Sequence, residues 1–161
     1  MTDRKWETYE EVAVYLLNEF ANEFGLDTVE RKQKVRGKKS GTNWVIDGKG
    51  FKKDGVGFVI VECRRYTTSK QNQEKVGGLA YRIYDTGAEG GILVSPLGLQ
   101  SGAELVANAE NVVSVKITPE SSTNNYVMSF LNKVMVSLTD QVSVSDSIHS
   151  QVIRNGEILD E

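Results

Sequence analysis

The sequence predicts an α/β fold: one core with a mixed sheet flanked by helices, then a small C-terminal helix-plus-hairpin extension. Three observations predict it. Stretches with apolar residues at three- and four-residue spacing alternate with short apolar runs, which is the pattern of helices interleaved with strands. Phe58-Val59-Ile60-Val61 and Ile92-Leu93-Val94-Ser95 are continuous apolar runs, as expected of central strands covered on both faces. The 161 residues, 39% hydrophobic and 25% charged, suit one folded domain of about 100–150 residues with a modest addition.

The elements follow in order. Residues 7–24 read as an amphipathic helix on Tyr9, Val12, Ala13, Leu16, Leu17, Phe20 and Phe24, stopped by Gly25. Leu26 to Val35 reads as a strand. Arg36 to Ser40 and Gly41 form a basic turn, and Trp44-Val45-Ile46-Asp47 a short strand ending in a carboxylate. Gly48 to Gly57 reads as a glycine- and lysine-rich connection into the Phe58 strand. Residues 69–84 predict a helix, with Thr68 or Ser69 as its cap. Ile92–Ser95, Leu99–Ala107 and Val112–Ile117 predict a strand, a helix and a strand. The core thus spans residues 1–118. Residues 119–161 form an extension: a polar linker, a helix over Tyr126–Leu138, a strand at Val142–Ser145, and a hairpin about Asn155-Gly156.

Composition excludes several classes. A single cysteine, Cys63, permits no internal disulfide and no cysteine-rich zinc site. A single histidine, His149, excludes multi-histidine metal sites. No apolar run approaches the roughly 18–20 residues of a membrane span, and no signal-peptide core follows the N-terminus. The expectation is a cytoplasmic protein without a membrane partner. The net charge of −3 conceals an asymmetry: residues 28–53 carry nine basic and two acidic side chains, a net of +7, between acidic segments.

Asp47 and Glu62 carry the chemical signal. Each ends an apolar strand, and the strands are joined by a hairpin-length connection. Their ends meet only if the register slips or a strand bends. Two carboxylates held together repel unless a divalent cation lies between them. Glu62 and Arg64, two apart on a strand, share a face, while Cys63 points the other way into packing.

The run Asp47 … Val59-Ile60-Val61-Glu62-Cys63-Arg64 resembles the core motif of the PD-(D/E)XK nuclease superfamily. It is most similar to the Mrr-like type IV restriction endonuclease branch, and more distantly to archaeal Holliday-junction resolvases. Trp44 to Gly50 and Gly90 to Ser95 support the resemblance, which covers roughly residues 7–117 and follows that family's order of helix, three strands, helix and strand. It implies a restriction-endonuclease-like core and a metal-dependent DNA endonuclease, a hydrolase. Asp47, Glu62 and the Cys63 carbonyl would hold Mg²⁺, with Mn²⁺ as substitute.

The third motif position is a lysine in the family and Arg64 here. Arginine stays protonated and cannot act as a base, but it can stabilise charge on a phosphate. Lys49, Lys70 and Lys75 are candidates for a displaced cation. The resemblance also implies a glutamate on the first helix, where helical phase favours Glu10 over Glu11. A polar residue on the helix after the motif is implied too, Gln73 or Gln71. Arg31, Lys32, Lys34, Arg36, Lys38, Lys39 and Lys49 form a basic segment suited to a DNA backbone. No base-reading element is recognisable. Double-strand cutting and an adhesive tail predict a homodimer or higher homo-oligomer. The alternative is a catalytically weak nuclease-fold protein that binds DNA or assembles with partners.

Overall fold

The computed structural model describes residues 8–65, 68–119, 126–130, 141–144, 150–154 and 157–159. Thr8 caps the first helix, α1 (Tyr9–Glu19), its hydroxyl accepting from the Glu11 N–H. The apolar stripe of α1 buries Val12, Ala13, Leu16 and Leu17. A 3-10 turn (Ala21–Phe24) follows, and Gly25 closes it in the left-handed conformation, φ 67°.

The central sheet begins with β1 (Leu26–Glu30), β4 (Gly48–Lys52) and β5 (Phe58–Cys63), an antiparallel meander. Next come β6 (Gly90–Ser95) and β7 (Val112–Pro119), each parallel to its predecessor. Two helices, α2 (Gln73–Thr86) and α3 (Ser101–Ala109), make the parallel crossovers. One core layer packs α1 against Val61, Cys63, Ile92, Val94, Val115 and Ile117. The other packs α2 and α3 against Ile60 and Leu93. The mixed sheet flanked by helices is therefore present.

Several elements differ from the sequence reading. The Leu26–Val35 strand is two strands, β1 and β2 (Gln33–Arg36), in different sheets. The strand expected at Trp44–Asp47 is β3 (Asn43–Ile46); it pairs only with β2, as a two-stranded sheet. The expected connection at Gly48–Gly57 contains β4. Its glycines are packing residues: a Cβ on Gly50 would lie 2.7 Å from Leu26 Cδ1 and 2.8 Å from Val59 Cγ2. Helix α2 starts later than expected, capped by Asn72, whose Oδ1 accepts from the Lys75 N–H at 3.1 Å.

The expected helix at Tyr126–Leu138 is, over its first five residues, the strand β8 (Tyr126–Phe130), antiparallel to β7; its remainder lies outside the described residues. Tyr126, Met128 and Phe130 alternate, and the open edge of β7 offers a ladder. The sheet continues through β9 (Gln141–Val144), β10 (Ser150–Arg154) and β11 (Glu157–Leu159). Arg154 faces Glu157 across the Asn155-Gly156 position, which itself lies outside the described residues, as does the polar linker at 120–125.

The β2–β3 hairpin lies outside the main sheet, and Asp85 in the last turn of α2 holds it. The Asp85 side chain is buried. Its Oδ1 accepts from the Lys39 and Ser40 N–H groups at 3.0 and 2.9 Å. Its Oδ2 accepts from the Ser40 hydroxyl at 2.6 Å and the Trp44 indole at 2.7 Å. The Ser40 hydroxyl, then the Trp44 indole and the amides, hold its carboxyl at about 2.

Asp85 binds its proton less readily folded than unfolded, so its stabilisation is complete above about pH 4 and is lost as pH falls towards 2. Asp85→Asn is expected to lower stability at neutral pH and flatten that acid limb in pH-dependent urea melts; an unchanged limb would refute it. Gly77 and Gly78 lie inside α2 with open space where a Cβ would stand. Alanine at either is expected to add about 1 kcal/mol, seen as a higher Tm; a fall would show that the fold needs the glycine.

Candidate functional site

Gly48 pairs with Val61, so one further step of that register sets Asp47 opposite Glu62. The ladder breaks at this step. The Asp47 N–H donates to the Val61 carbonyl at 3.2 Å. Its Oδ2 accepts from the Cys63 N–H at 2.8 Å. A side-chain carboxylate thus takes the place of a strand carbonyl at the end of β5. It also stands close enough to Glu62 for its charge to push that carboxyl upward.

Glu62 is 6% exposed. Its Oε1 pairs with Arg64 Nη2 at 2.8 Å, and its Oε2 with Arg82 Nη1 at 2.9 Å. Burial raises the Glu62 carboxyl; Arg82 and then Arg64 pull it back. The Arg82 guanidinium also lies 5.1 Å from the centre of the Trp44 ring, so the hairpin covers this ion pair. Arg64 Nε is buried and has no acceptor among the described residues. Cys63 is buried towards α1. Burial first, then the charges of Asp47, Glu10 and Glu62, push its thiol well up, so it packs as a neutral thiol rather than a nucleophile.

A groove of about 380 Å³ opens on the α1 side of Asp47. Glu10 and Glu11 from α1, Arg31 and Lys32 after β1, and Arg65 after β5 line it with Asp47. Glu10 pairs with Arg65 Nε at 3.8 Å. Both glutamates stand in the first turn of α1 and line the groove, so helical phase does not single out Glu10 there.

The other expected residues disperse. Lys34 and Arg36 are exposed on β2. Lys39 Nζ donates to the Tyr84 hydroxyl at 2.6 Å, and the Lys38 N–H donates to the Asp85 carbonyl at 2.6 Å. The basic turn is therefore fastened to the end of α2. Lys49 Nζ lies over the Phe58 ring at 4.5 Å and the Phe51 ring at 5.1 Å. Lys70 and Lys75 are exposed. Gln73 is exposed and approaches Gly102 of α3. Gln71 is the buried glutamine; its backbone bonds Gly98 and Gln100, and its Oε1 is buried without a donor among the described residues.

Sequence reasoning missed Arg82, Asp85 and Arg65. Two of these left a signal. Arg82 lies between Leu79 and Ile83 on the inward side of α2, where a cation calls for a buried partner. Asp85 is an anion in a helix's last turn, which the macrodipole disfavours unless donors compensate.

The carboxylates of Asp47 and Glu62 are hard oxygen donors of the kind that Mg²⁺ takes, and in donor chemistry they fit such an ion. Asp47 engages Cys63 through Oδ2 alone, whereas Glu62 would exchange an arginine for the cation. Among the described residues, no group of three or more His, Cys, Asp or Glu side chains is gathered for a metal. No described helix is long and apolar enough to cross a membrane.

No family model and no curated protein matches the chain. The fold is similar to the crystal structure of AF1548, a protein of unknown function, at a TM-score of 0.54 and 12% identity. The match covers 65% of this chain and 56% of that one, little more than half of AF1548. Identity at this level speaks for the fold alone.

Removing Arg82 leaves a buried carboxylate with one cation fewer. Arg82→Leu is expected to cost roughly 3 kcal/mol in urea melts. Glu62→Gln in the same background is expected to recover much of that loss. Simple additivity of the two changes would rule out the coupling.

Proposed function

We propose that this chain is a metal-dependent DNA endonuclease of the PD-(D/E)XK type, with a restriction-endonuclease-like core in residues 1–118. One observation carries the reading: Asp47, at the bend into β4, is fastened to the Cys63 N–H next to Glu62 on the neighbouring strand, and shares a groove with Glu10, Arg31 and Lys32. Asp47, Glu62 and the Cys63 carbonyl would hold Mg²⁺ or Mn²⁺. Such an ion supplies polarisation of the phosphate and a more acidic bound water. Arg64, whose side chain is 29% exposed, would contact the scissile phosphate through the part of its guanidinium that reaches the surface. Arg31 and Lys32, which line the groove with Asp47 but without Glu62 or Arg64, would grip the backbone on the α1 side. Cutting both strands calls for two such sites, hence a homodimer.

A second reading is favoured by one specific contact set. Arg64 and Arg82 occupy both oxygens of Glu62. If those pairs persist on DNA, the protein binds without cutting and acts as a DNA-binding or assembly module.

A plasmid-nicking assay decides between them. In Mg²⁺ or Mn²⁺ the protein is expected to nick DNA, and Asp47→Asn or Glu62→Gln to slow it by about two orders of magnitude. No nicking of any DNA form with either metal would overturn the endonuclease reading.

A further inference from the structure

The outer face of α2 carries two tyrosines that the fold leaves uncovered, Tyr81 at 48% and Tyr84 at 62% exposure. Their ring centres lie 6.5 Å apart. Trp44 meets Tyr81 edge-on at 6.2 Å. The Tyr84 hydroxyl accepts from Lys39 Nζ, and that ammonium lies 4.7 Å from the ring centre. Both rings are thus oriented by neighbours rather than left to rotate. Gly77 lies one turn before Tyr81 on the same face, and Gly78 beside it; neither has an atom within 4 Å of where a Cβ would be. Among the described residues nothing fills that space, so the helix presents bare backbone beside the two rings.

Charge selects the occupant. Lys39 and Lys38 stand at the C-terminal end of this face, beside Tyr84 and Gly87. Lys34 and Arg36 extend the positive field over the hairpin, within the segment of net charge +7. Asp85 is buried and saturated by four donors, and Glu74 stands in the first turn, at the far end. A second copy would bring the same cations against these. A polymer with flat π faces and regular anions matches both the rings and the lysines.

We infer that the Tyr81–Tyr84 face of α2, with the basic hairpin beside it, is a docking surface for single-stranded DNA. Bases stack on Tyr81 and Tyr84, phosphates follow Lys39 and Lys38, and the bare Gly77–Gly78 backbone lets the strand lie close. The choice of DNA over RNA rests on the endonuclease reading; the surface itself belongs to α2 and the hairpin, apart from the groove on the α1 side.

The test is fluorescence anisotropy with a labelled oligothymidylate of about 15 nucleotides, in EDTA, so that no metal-dependent cutting intervenes. Binding is expected at low salt and falls as salt rises. Tyr81→Ala and Tyr84→Ala each weaken it at least about fivefold, and Tyr84→Phe restores most of the loss. Gly77→Ala weakens binding while Tm rises, a combination that damage to the fold would not produce. A duplex of equal length binds with no dependence on the tyrosines.

Wild-type affinity in both tyrosine variants, or no binding at all, overturns the proposal. So does tighter binding of oligouridylate, which would make RNA the partner. A dimer by light scattering that Tyr81→Ala dissolves would make it a self-association face instead. Cutting in Mg²⁺ without tyrosine-dependent binding sinks this surface and spares the endonuclease reading. Tyrosine-dependent binding without cutting supports the surface and sinks that reading.

Discussion

Asp85 takes four hydrogen bonds from a hairpin that no main-sheet ladder holds. A carboxylate in the last turn of a helix is electrostatically misplaced until donors reach it. Here the donors are two backbone amides, a hydroxyl and an indole, and together they fix where the hairpin turn and Trp44 lie. Trp44 then covers Arg82, and Arg82 neutralises Glu62. The buried charge on β5 is thus tolerated through a chain of contacts that starts at the end of α2.

Helix α2 serves two surfaces at once. Arg82 turns towards the sheet and Glu62, while its neighbour Tyr81 faces solvent and meets the edge of Trp44. The same indole therefore touches the outer aromatic row and the inner ion pair. Displacing Trp44 would disturb both, although the groove beside Asp47 opens on the opposite side of the sheet.

Periodicity made α1, β5, β6, α3 and β7 legible, because each buries a face or a whole strand whose residues say so locally. Strand β4 was hidden because Gly48 and Gly50 look like loop residues; they are glycines because Leu26, Val59 and Val61 crowd them. The departure of β2 and β3 from the main sheet was not legible, since strand pairing is a choice among partners that no local pattern encodes. Tyr126–Phe130 satisfies helical and alternating spacing alike, and the free edge of β7 decides for a strand. In the candidate site, Asp47, Glu62 and Arg64 could be named from strand ends and two-residue spacing. Their contact with Arg82 depends on how a helix packs across the sheet, so sequence spacing could not reveal it.

Glu30 and Lys49 are ladder partners on adjacent strands. Partners of that kind stand only about 5 Å apart, a gap that a tight turn closes. The chain instead travels through residues 31–47 before returning. That excursion is topologically a cassette inserted into an already complete meander. It carries Arg31, Lys32, the lysine-rich turn, Trp44 and Asp47 as one piece. Because Ile46 of this excursion is fully buried against the sheet, with Val35 and Trp44 packed beside it, the positive charge, the aromatic cover and the acidic residue are tied to the core in one stretch of sequence.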